Sequence, residues 1–571
     1  MLHHINHYRN WQLFRRRLRC PSENIISLSS QSFFISTTSP LNSKRTWQKL
    51  FATDTTKSLL RKLGSSAVPS AWGLEADLSR LEERLSAINT VLSDAEKIQS
   101  KNDSIRLWLH DLIEVLYDAE DALDEIECET LRRKVVKTTG STSRKVRRFF
   151  SSSSMIAFRL RMGHKIKNIM ERLAEISSLK SNFNLNERTN DDSHVLHEEK
   201  EILYRSFVSF SGLIGRDEEK ERIINILVEP FREARNECSI ISSQNHQISK
   251  TSRHLSVLDS NSLFDQALPK HPHKLHHVRS IVFATSLEGL GCKAGFEKCL
   301  SEFKHLRSLE LMDDSEFEVF PERVGALKHL RYLNFAGNAK MKRLPKSIFK
   351  LQSLQAMVVG VGLEELPKDV RYMISLGFLF LVTKQKRLPE GGIGCLECLQ
   401  TLVISYCENL ENLCEDMQGL KSLQKLYICG CKSLISLPGS MKCLTALKEL
   451  FIGDCEKLDM MTLDEEKERE TQRLSLQIVA FGGLPATQAL PKQLLHGCTN
   501  SLERFMIVDC PNIIELPECI SNLKKLQNLQ IVRCPGLRKR CQRETGEDWP
   551  KISHVPEFYV ESDDSSEETS D

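Results

Sequence analysis

The chain has 571 residues, of which 40% are apolar and 27% charged, with a formal net charge of +3. That length allows about three or four domains at roughly 150 residues each. The near-balanced charge excludes a global field that recruits nucleic acid, and the lack of any run of about 18 apolar residues excludes a helical membrane span.

Residues 1–54 hold Arg15, Arg16, Arg17 and Arg19 with many Ser and Thr, and Glu23 is the one acid before Asp54. The segment reads as an Arg/Ser-rich extension without an amphipathic helix. A mitochondrial or plastid transit peptide is the alternative that this composition leaves open.

Residues 55–185 carry helical periodicity. Leu74, Leu78, Leu81, Leu85, Ile88, Leu92 and Ala95 step by 4 and 3, and so do Ile105, Leu109, Leu112, Leu116, Ala119, Leu123 and Ile126. Met162, Ile166, Ile169, Leu173 and Ile176 repeat the pattern. Each set makes one apolar stripe on a helix. Asp103 is placed to cap the second of these helices. With a shorter helix around Ser58–Ala67, the segment predicts a small antiparallel bundle. Thr138–Ser154 reads as a Ser-rich, basic loop inside it.

Residues 200–275 show little periodicity and read as a linker. Glu218–Leu227 could form one helix. His271, His273, His276 and His277 cluster there, but on a proline-broken connector they read as incidental rather than as a metal site.

Residues 276–545 are dominated by L-x-x-L-x-L. It occurs as Leu306-Leu309-Leu311, Leu330-Leu333-Phe335, Leu399-Leu402-Ile404, Leu423-Leu426-Ile428, Leu447-Leu450-Ile452, Leu502-Phe505-Ile507 and Leu526-Leu529-Ile531. The first leucines recur every 22 to 24 residues between 306 and 447, which is the leucine-rich-repeat period. One unit cannot bury its apolar face alone, so units stack into a solenoid with a strand-lined concave surface. Val278-Ile281-Phe283 reads as a divergent first repeat and Thr471-Leu474-Leu476 as an irregular late one. Proline follows an apolar residue at Pro321, Pro345, Pro367, Pro438 and Pro517, where it ends an extended segment without removing a ladder hydrogen bond. Of the 18 cysteines, Cys407, Cys431, Cys455, Cys510 and Cys534 fall three residues after the last apolar strand position. There a small side chain turns inward, as Asn338 does, so these are read as reduced structural thiols. Asp464–Glu470 is a charged loop. Residues 546–571 form an acidic tail, with six acids in the last eleven residues.

The expected fold class is therefore α + α/β: an antiparallel helical bundle followed by a leucine-rich-repeat solenoid. Such a surface binds rather than catalyses, and no G-x-S-x-G or paired-carboxylate arrangement supports an enzyme. Two sets of residues stand out. Tyr406, Lys425, Tyr427, Glu449, Phe451, Arg504 and Met506 flank the inward leucines of the later repeats and read as exposed anchors for a protein partner. Arg279, Arg307 and Arg331 each follow the first apolar residue of a repeat. Stacked strands bring such positions about 5 Å apart, so the three form a column of like charge. Glu120, Asp121 and Asp124 lie on about one helical turn and could supply its acidic partner.

Trp72–Gln99 and Tyr117–Glu127 (YDAEDALDEIE), with Leu213–Leu227 (LIGRDEEKERIINIL), Thr251–Leu258 (TSRHLSVL) and Cys541–Glu557, resemble plant coiled-coil nucleotide-binding leucine-rich-repeat disease resistance proteins. The resemblance covers about residues 55 to 560. It implies an Rx-type coiled-coil domain whose acidic helix contacts the repeats, and cytoplasmic recognition of a pathogen effector, a host target or a full-length related receptor. It also implies an ADP/ATP switch with Mg between the two modules. There the sequence departs from the family: G-x-x-x-x-G-K-[ST], whose backbone N–H groups and lysine hold phosphates, is absent. Ile214, Gly215 and Arg216 match the family's adenine-side residues but have no phosphate loop beside them. No cofactor is expected on that basis. The alternatives are an ADP/ATP-binding switch, which needs the missing domain, and a leucine-rich-repeat adaptor outside immunity.

Overall fold

The computed structural model describes residues 52–64, 73–99, 101–138, 155–179, 238–245, 248, 252–268, 277–284, 287, 290–311, 317–336, 338–460 and 473–561. The N-terminal extension through residue 51, the adenine-side segment Ile214–Arg216, the Ser/basic loop 139–154, the charged loop 464–470 and the last ten residues lie outside them, as do His271, His273 and His276.

Four helices form the bundle: α1 (Ala52–Gly64), α2 (Glu75–Ile98), α3 (Asp103–Thr138) and α4 (Met155–Leu179). Thr53 at the start of α1 bonds Glu96 near the end of α2 at 2.8 Å, so these two run antiparallel. Lys165 pairs with Glu125 and Arg172 with Asp118, so α3 and α4 do too. The stripes meet as expected: Leu81, Leu85, Ile88, Leu92, Leu109, Leu112, Leu116, Ile169 and Leu173 share one core. Trp108 buries its ring there and its indole N–H donates to the Ile176 carbonyl at 2.8 Å, which meets the requirement that a buried donor be paired. The cap of α3 differs from expectation. Asn102, not Asp103, accepts from the N–H groups of Ser104 and Ile105 at 2.9 and 3.2 Å, while Asp103 pairs with Arg106. An amide oxygen one residue earlier has the geometry to reach the second and third helical N–H groups.

The solenoid is a parallel sheet of 14 strands stacked in chain order. Its regular part opens with β3 (Ser280–Phe283), β4 (Ser308–Leu311), β5 (Tyr332–Phe335), β6 (Ala356–Val359), β7 (Phe378–Leu381) and β8 (Thr401–Ser405). It continues through β9 (Lys425–Cys429), β10 (Glu449–Gly453), β11 (Ile478–Gly482), β12 (Arg504–Val508) and β13 (Asn528–Val532). Two strands, β1 (Cys238–Ile241) and β2 (His254–Val257), precede the first repeat read from sequence and pair with it in register. A final strand, β14 (Glu557–Val560), pairs with β13 inside the stretch read as tail. The late irregular repeat is also shifted. Leu474 and Leu476 are buried but not on a strand. The strand residues are Val479 and Phe481, so Leu476-Val479-Phe481 carries the pattern five residues later.

Within each strand two alternate residues point into the core and their neighbours face the concave side. Inward residues such as Leu402, Ile404, Leu426, Ile428, Leu450 and Ile452 make one continuous core. Each proline noted above sits in extended conformation immediately before a 3-10 turn, as Pro321 does before Glu322–Ala326 and Pro438 before Gly439–Cys443. The inward column is filled by Asn338, which donates to the Phe317 carbonyl at 3.1 Å, then by Cys407, Cys431, Cys455, Cys510 and Cys534. The thiols serve the backbone: Thr383 N–H donates to Cys407 Sγ at 3.3 Å and Cys510 N–H to Cys534 Sγ at 3.4 Å. The described cysteines form no disulfide. The residue before each thiol has left-handed backbone, at Tyr406 (φ 51°), Gly430 (69°), Asp454 (53°), Asp509 (54°) and Arg533 (50°). A side chain there costs on the order of 1 kcal/mol, and Gly430 avoids it.

This core is expected to be sensitive at its inward positions only. Leu426→Ala should lower stability by about 2–5 kcal/mol, read as a lower midpoint in urea. Ile435→Ala, at a position 49% exposed, should change it by less than about 0.5 kcal/mol.

Candidate functional site

The residue immediately before each of the strands β2 to β5 is an arginine: Arg253, Arg279, Arg307 and Arg331. The four are stacked by the backbone itself. Arg279 N–H donates to the Arg253 carbonyl at 2.6 Å, Arg307 N–H to Arg279 at 2.7 Å, and Arg331 N–H to Arg307 at 2.8 Å. A strand repeat therefore forces four guanidinium groups into one column along the sheet. The arginines also brace one another's rungs, since Arg253 Nη1 donates to the His277 carbonyl and Arg279 Nη1 to the His305 carbonyl.

Helix α3 lies along this column. Glu114 pairs with Arg253. Asp121 takes Arg279 at 2.6 Å, and Arg307 reaches Glu120 at 2.7 Å, Asp124 at 3.1 Å and Asp121 at 3.4 Å. Arg331 bonds Asp124 at 2.6 Å. Tyr117 lies between the first two rungs, with Arg253 4.4 Å and Arg279 5.9 Å from its ring centroid. Cys128 closes the row, 2.7 Å from Ser353 Oγ and 3.0 Å from the Lys328 carbonyl. Contact residues 114, 117, 121, 124 and 128 alternate by 3 and 4. That advances about 5.3 Å per contact along the helix, against about 4.8 Å per strand, so one helical turn meets one rung. From behind, α1 contributes Lys62, 2.6 Å from Asp124 and 3.6 Å from Glu120.

The electrostatics are those of a buried network. Burial pushes the Asp121 carboxyl up, but Arg279, His305 and Arg307 outweigh it and hold it well below the usual carboxylate range. Burial also opposes ionisation of Asp124 and Glu120. Arg331, Arg307 and Lys62 hold Asp124 charged, and Arg307 and Lys62 do so for Glu120. The site residues named from sequence, Glu120, Asp121, Asp124, Arg279, Arg307 and Arg331, are thus brought together. Arg253, Glu114, Tyr117 and Lys62 were not named. The signal for Arg253 was present: it stands two residues before Leu255, as Arg279 does before Ile281 and Arg307 before Leu309. A histidine likewise precedes three of the arginines by two residues, at His277, His305 and His329. His305 is 2.8 Å from Asp121 and stacks on His329 at 5.1 Å. Ligand atoms of Asp121, Asp124 and His329 lie within 4.8 Å of one another. Arginine and lysine already neutralise both carboxylates, so a cation there would have to displace guanidinium groups, and the cluster does not fit a metal centre.

The second residue set, Tyr406 apart, occupies the concave face of β9, β10 and β12. Lys425 and Glu449 share one column across the strands with Arg504, and Tyr427, Phe451 and Met506 share the next. Lys425 pairs with Glu449 at 3.0 Å, the Tyr427 hydroxyl donates to Glu449, and the Tyr427 and Phe451 rings are 6.3 Å apart. Two placements differ from expectation. Tyr406 lies in the left-handed turn after β8 rather than on the strand. Phe451 is buried at 9% exposed and the others are half-buried, because rungs about 4.8 Å apart cover each other's side chains.

The fold and the ladder define a class: a helical bundle docked edge-on to a leucine-rich-repeat solenoid. Residues 56–160 match the Rx N-terminal domain, and residues 277–502 match a leucine-rich repeat region. Disease resistance protein RGA2 of Solanum bulbocastanum is 34% identical over 163 residues, 28% of this chain and 15% of that protein. The RPP13-like protein 1 of Arabidopsis thaliana is 30% identical over 155 residues, 26% of this chain and 14% of that protein. The matched stretch thus spans about one-seventh of these curated relatives. Among solved structures, the leucine-rich repeat domain of the type III effector XopL is 27% identical at a TM-score of 0.31, over 37% of this chain and 69% of that one. Over its Rx N-terminal and leucine-rich-repeat regions the chain is thus similar to plant disease resistance proteins. Among the described residues no helix is long and apolar enough to cross a membrane.

Two outcomes follow for association of separately expressed bundle (52–185) and solenoid (236–561) fragments. Arg253→Ala should weaken it by about 2–5 kcal/mol, because a buried charge pair loses one partner. Arg172→Ala, from the exposed pair with Asp118, should cost less than about 1 kcal/mol. Titration calorimetry of both variants checks this.

A further outcome concerns pH and folding stability. Burial pushes the His329 imidazole down to about 4 from an ordinary 6.5, with Asp124 and Asp121 opposing and His305 and Arg307 reinforcing. The folded chain therefore binds fewer protons than the unfolded chain between those values. The contribution of this group is complete above pH 6.5 and weakens as pH falls, by about 2 kcal/mol at pH 5. The carboxylates held low act in the same direction, but only below about pH 4. The urea midpoint of the full chain, measured from pH 7.5 to 5, should fall, and His329→Asn should flatten the profile.

Proposed function

We propose that the chain is a cytoplasmic recognition protein of plant immunity in which the later repeats engage a protein and the arginine ladder holds the bundle. The partner is a pathogen effector, a host target or a full-length related receptor. The observation that carries this reading is the ladder, because it makes the bundle and the solenoid one electrostatically coupled body. An event on the repeats can then change how firmly α3 is held. The patch of half-buried Lys425, Tyr427 and Glu449 around buried Phe451 supports the choice of the later repeats: aromatic groups locked by neighbours lose little freedom on binding. The reading includes no nucleotide step, because the sequence offers no phosphate loop to accompany Ile214, Gly215 and Arg216.

Tyr427→Ala with Phe451→Ala should weaken capture of a cognate protein by at least about 2 kcal/mol, while the bundle and solenoid fragments associate unchanged. Unaltered capture would move the recognition surface elsewhere. Purified chain, denatured and analysed by chromatography, should release no stoichiometric ADP or ATP. Tight nucleotide retention would replace this reading with that of a switch.

A further inference from the structure

The charge of the bundle is segregated along the sequence. Residues 107–131 contain nine acids and no Lys or Arg, whereas residues 130–170 contain twelve Lys and Arg and no acid. The acidic block docks on the solenoid. The basic block covers the end of α3 and most of α4, and the connection between them, outside the described residues, carries Arg144, Lys145, Arg147 and Arg148 in its sequence. Part of this charge is internally paired: Arg132 and Arg133 hold Glu129, and Lys165 and Arg161 reach Glu125. Arg159 donates to the Gly73 carbonyl at 3.2 Å and Lys167 lies 3.9 Å from Glu171, but residues 130–170 contain no acid of their own to balance twelve cations.

Helix α4 is also apolar on the wrong side. Phe158, Met162, Ile166, Ile169 and Leu173 already supply its core stripe. Ile156 and Leu160, four residues apart and hence on one face, are nevertheless 70% and 60% exposed. Arg159 lies beside them and Lys167 follows two turns on, its side chain 71% exposed. Exposed branched aliphatics flanked by Arg and Lys are the composition of an interfacial helix, and the one acid beside them is Glu171, 3.9 Å from Lys167 and itself exposed.

We propose that this face of α4 docks on an anionic lipid bilayer, with Arg159 and Lys167 on headgroup phosphates and Ile156 and Leu160 reaching the acyl boundary. Charge complementarity selects an anionic surface. The two exposed aliphatics select a bilayer over nucleic acid, whose grooves and backbone reward polar and aromatic side chains instead. Ile156, Leu160 and Lys167 share the flank of α4 away from its core stripe, and Arg159 stands at the margin between the two.

The test uses the full chain, sedimented with vesicles of phosphatidylcholine alone or of phosphatidylcholine with phosphatidylserine. Binding to the anionic vesicles should exceed that to neutral ones by at least about tenfold and fall steeply with added salt. The R159E/K167E pair should lower it by at least about tenfold. The I156S/L160S pair should lower it several-fold with an unchanged circular dichroism spectrum. Equal binding to both vesicles, or anionic binding unaltered by either pair, overturns the proposal. Binding to single-stranded RNA with the same dependence on Arg159 and Lys167, without vesicle binding, overturns it in favour of a nucleic-acid surface.

Discussion

Stacking identical repeats places identical side chains on top of one another, and at the start of this solenoid the repeated side chain is arginine. Four rungs about 4.8 Å apart set guanidinium groups close enough to repel by roughly 3 kcal/mol per neighbouring pair at an effective dielectric of 20. The backbone cannot relieve this, because each rung's N–H is bonded to the carbonyl of the arginine before it. Relief comes from α3. A helix is the one element whose contacts recur at nearly the strand spacing, and the mismatch over five contacts accumulates to only about 2 Å. Long arginine side chains absorb that. The position of the bundle, the ionisation of Glu120, Asp121 and Asp124, and the burial of His329 all follow from this fit.

The ladder also divides the solenoid. Contacts with α3 extend from Arg253 to Ser353, and the concave patch begins at Lys425. Between β6 and β9 lie three strand spacings, about 14 Å. A small ligand on the patch would leave α3 untouched and act only by altering the stack. A protein spanning more than that distance would meet α3 directly. The coupling is therefore steric for large partners and transmitted through rung packing for small ones.

Much of this was legible in the residues because both columns obey fixed periods. Leu306, Leu330, Leu399 and Leu423 mark the strands, so Arg279, Arg307 and Arg331 could be stacked on paper, and Glu120, Asp121 and Asp124 fell on one turn of a clear helix. The misses have local causes. Strands β1 and β2 are four residues long and precede the regular leucines, so His254–Val257 looked like linker and Arg253 went unnamed with it. Around β11 a long insertion separates repeats, and Leu474-Leu476 imitated a pattern that Leu476-Val479-Phe481 carries. Alternation says which face a residue takes but not how far its neighbours cover it. Tyr427 and Phe451 were therefore placed on the correct face and read as too exposed.

The central claim is that opposite charge across the α3–solenoid boundary, rather than apolar contact, fixes the docking. The most direct measurement is a charge exchange read by fragment association. Glu120, Asp121 and Asp124 are changed to Lys in the bundle, Arg279, Arg307 and Arg331 to Glu in the solenoid, and the four pairings are compared. The account predicts that either set alone abolishes measurable binding and that the two together restore a substantial part of it. Equal affinity across all four pairings would contradict it.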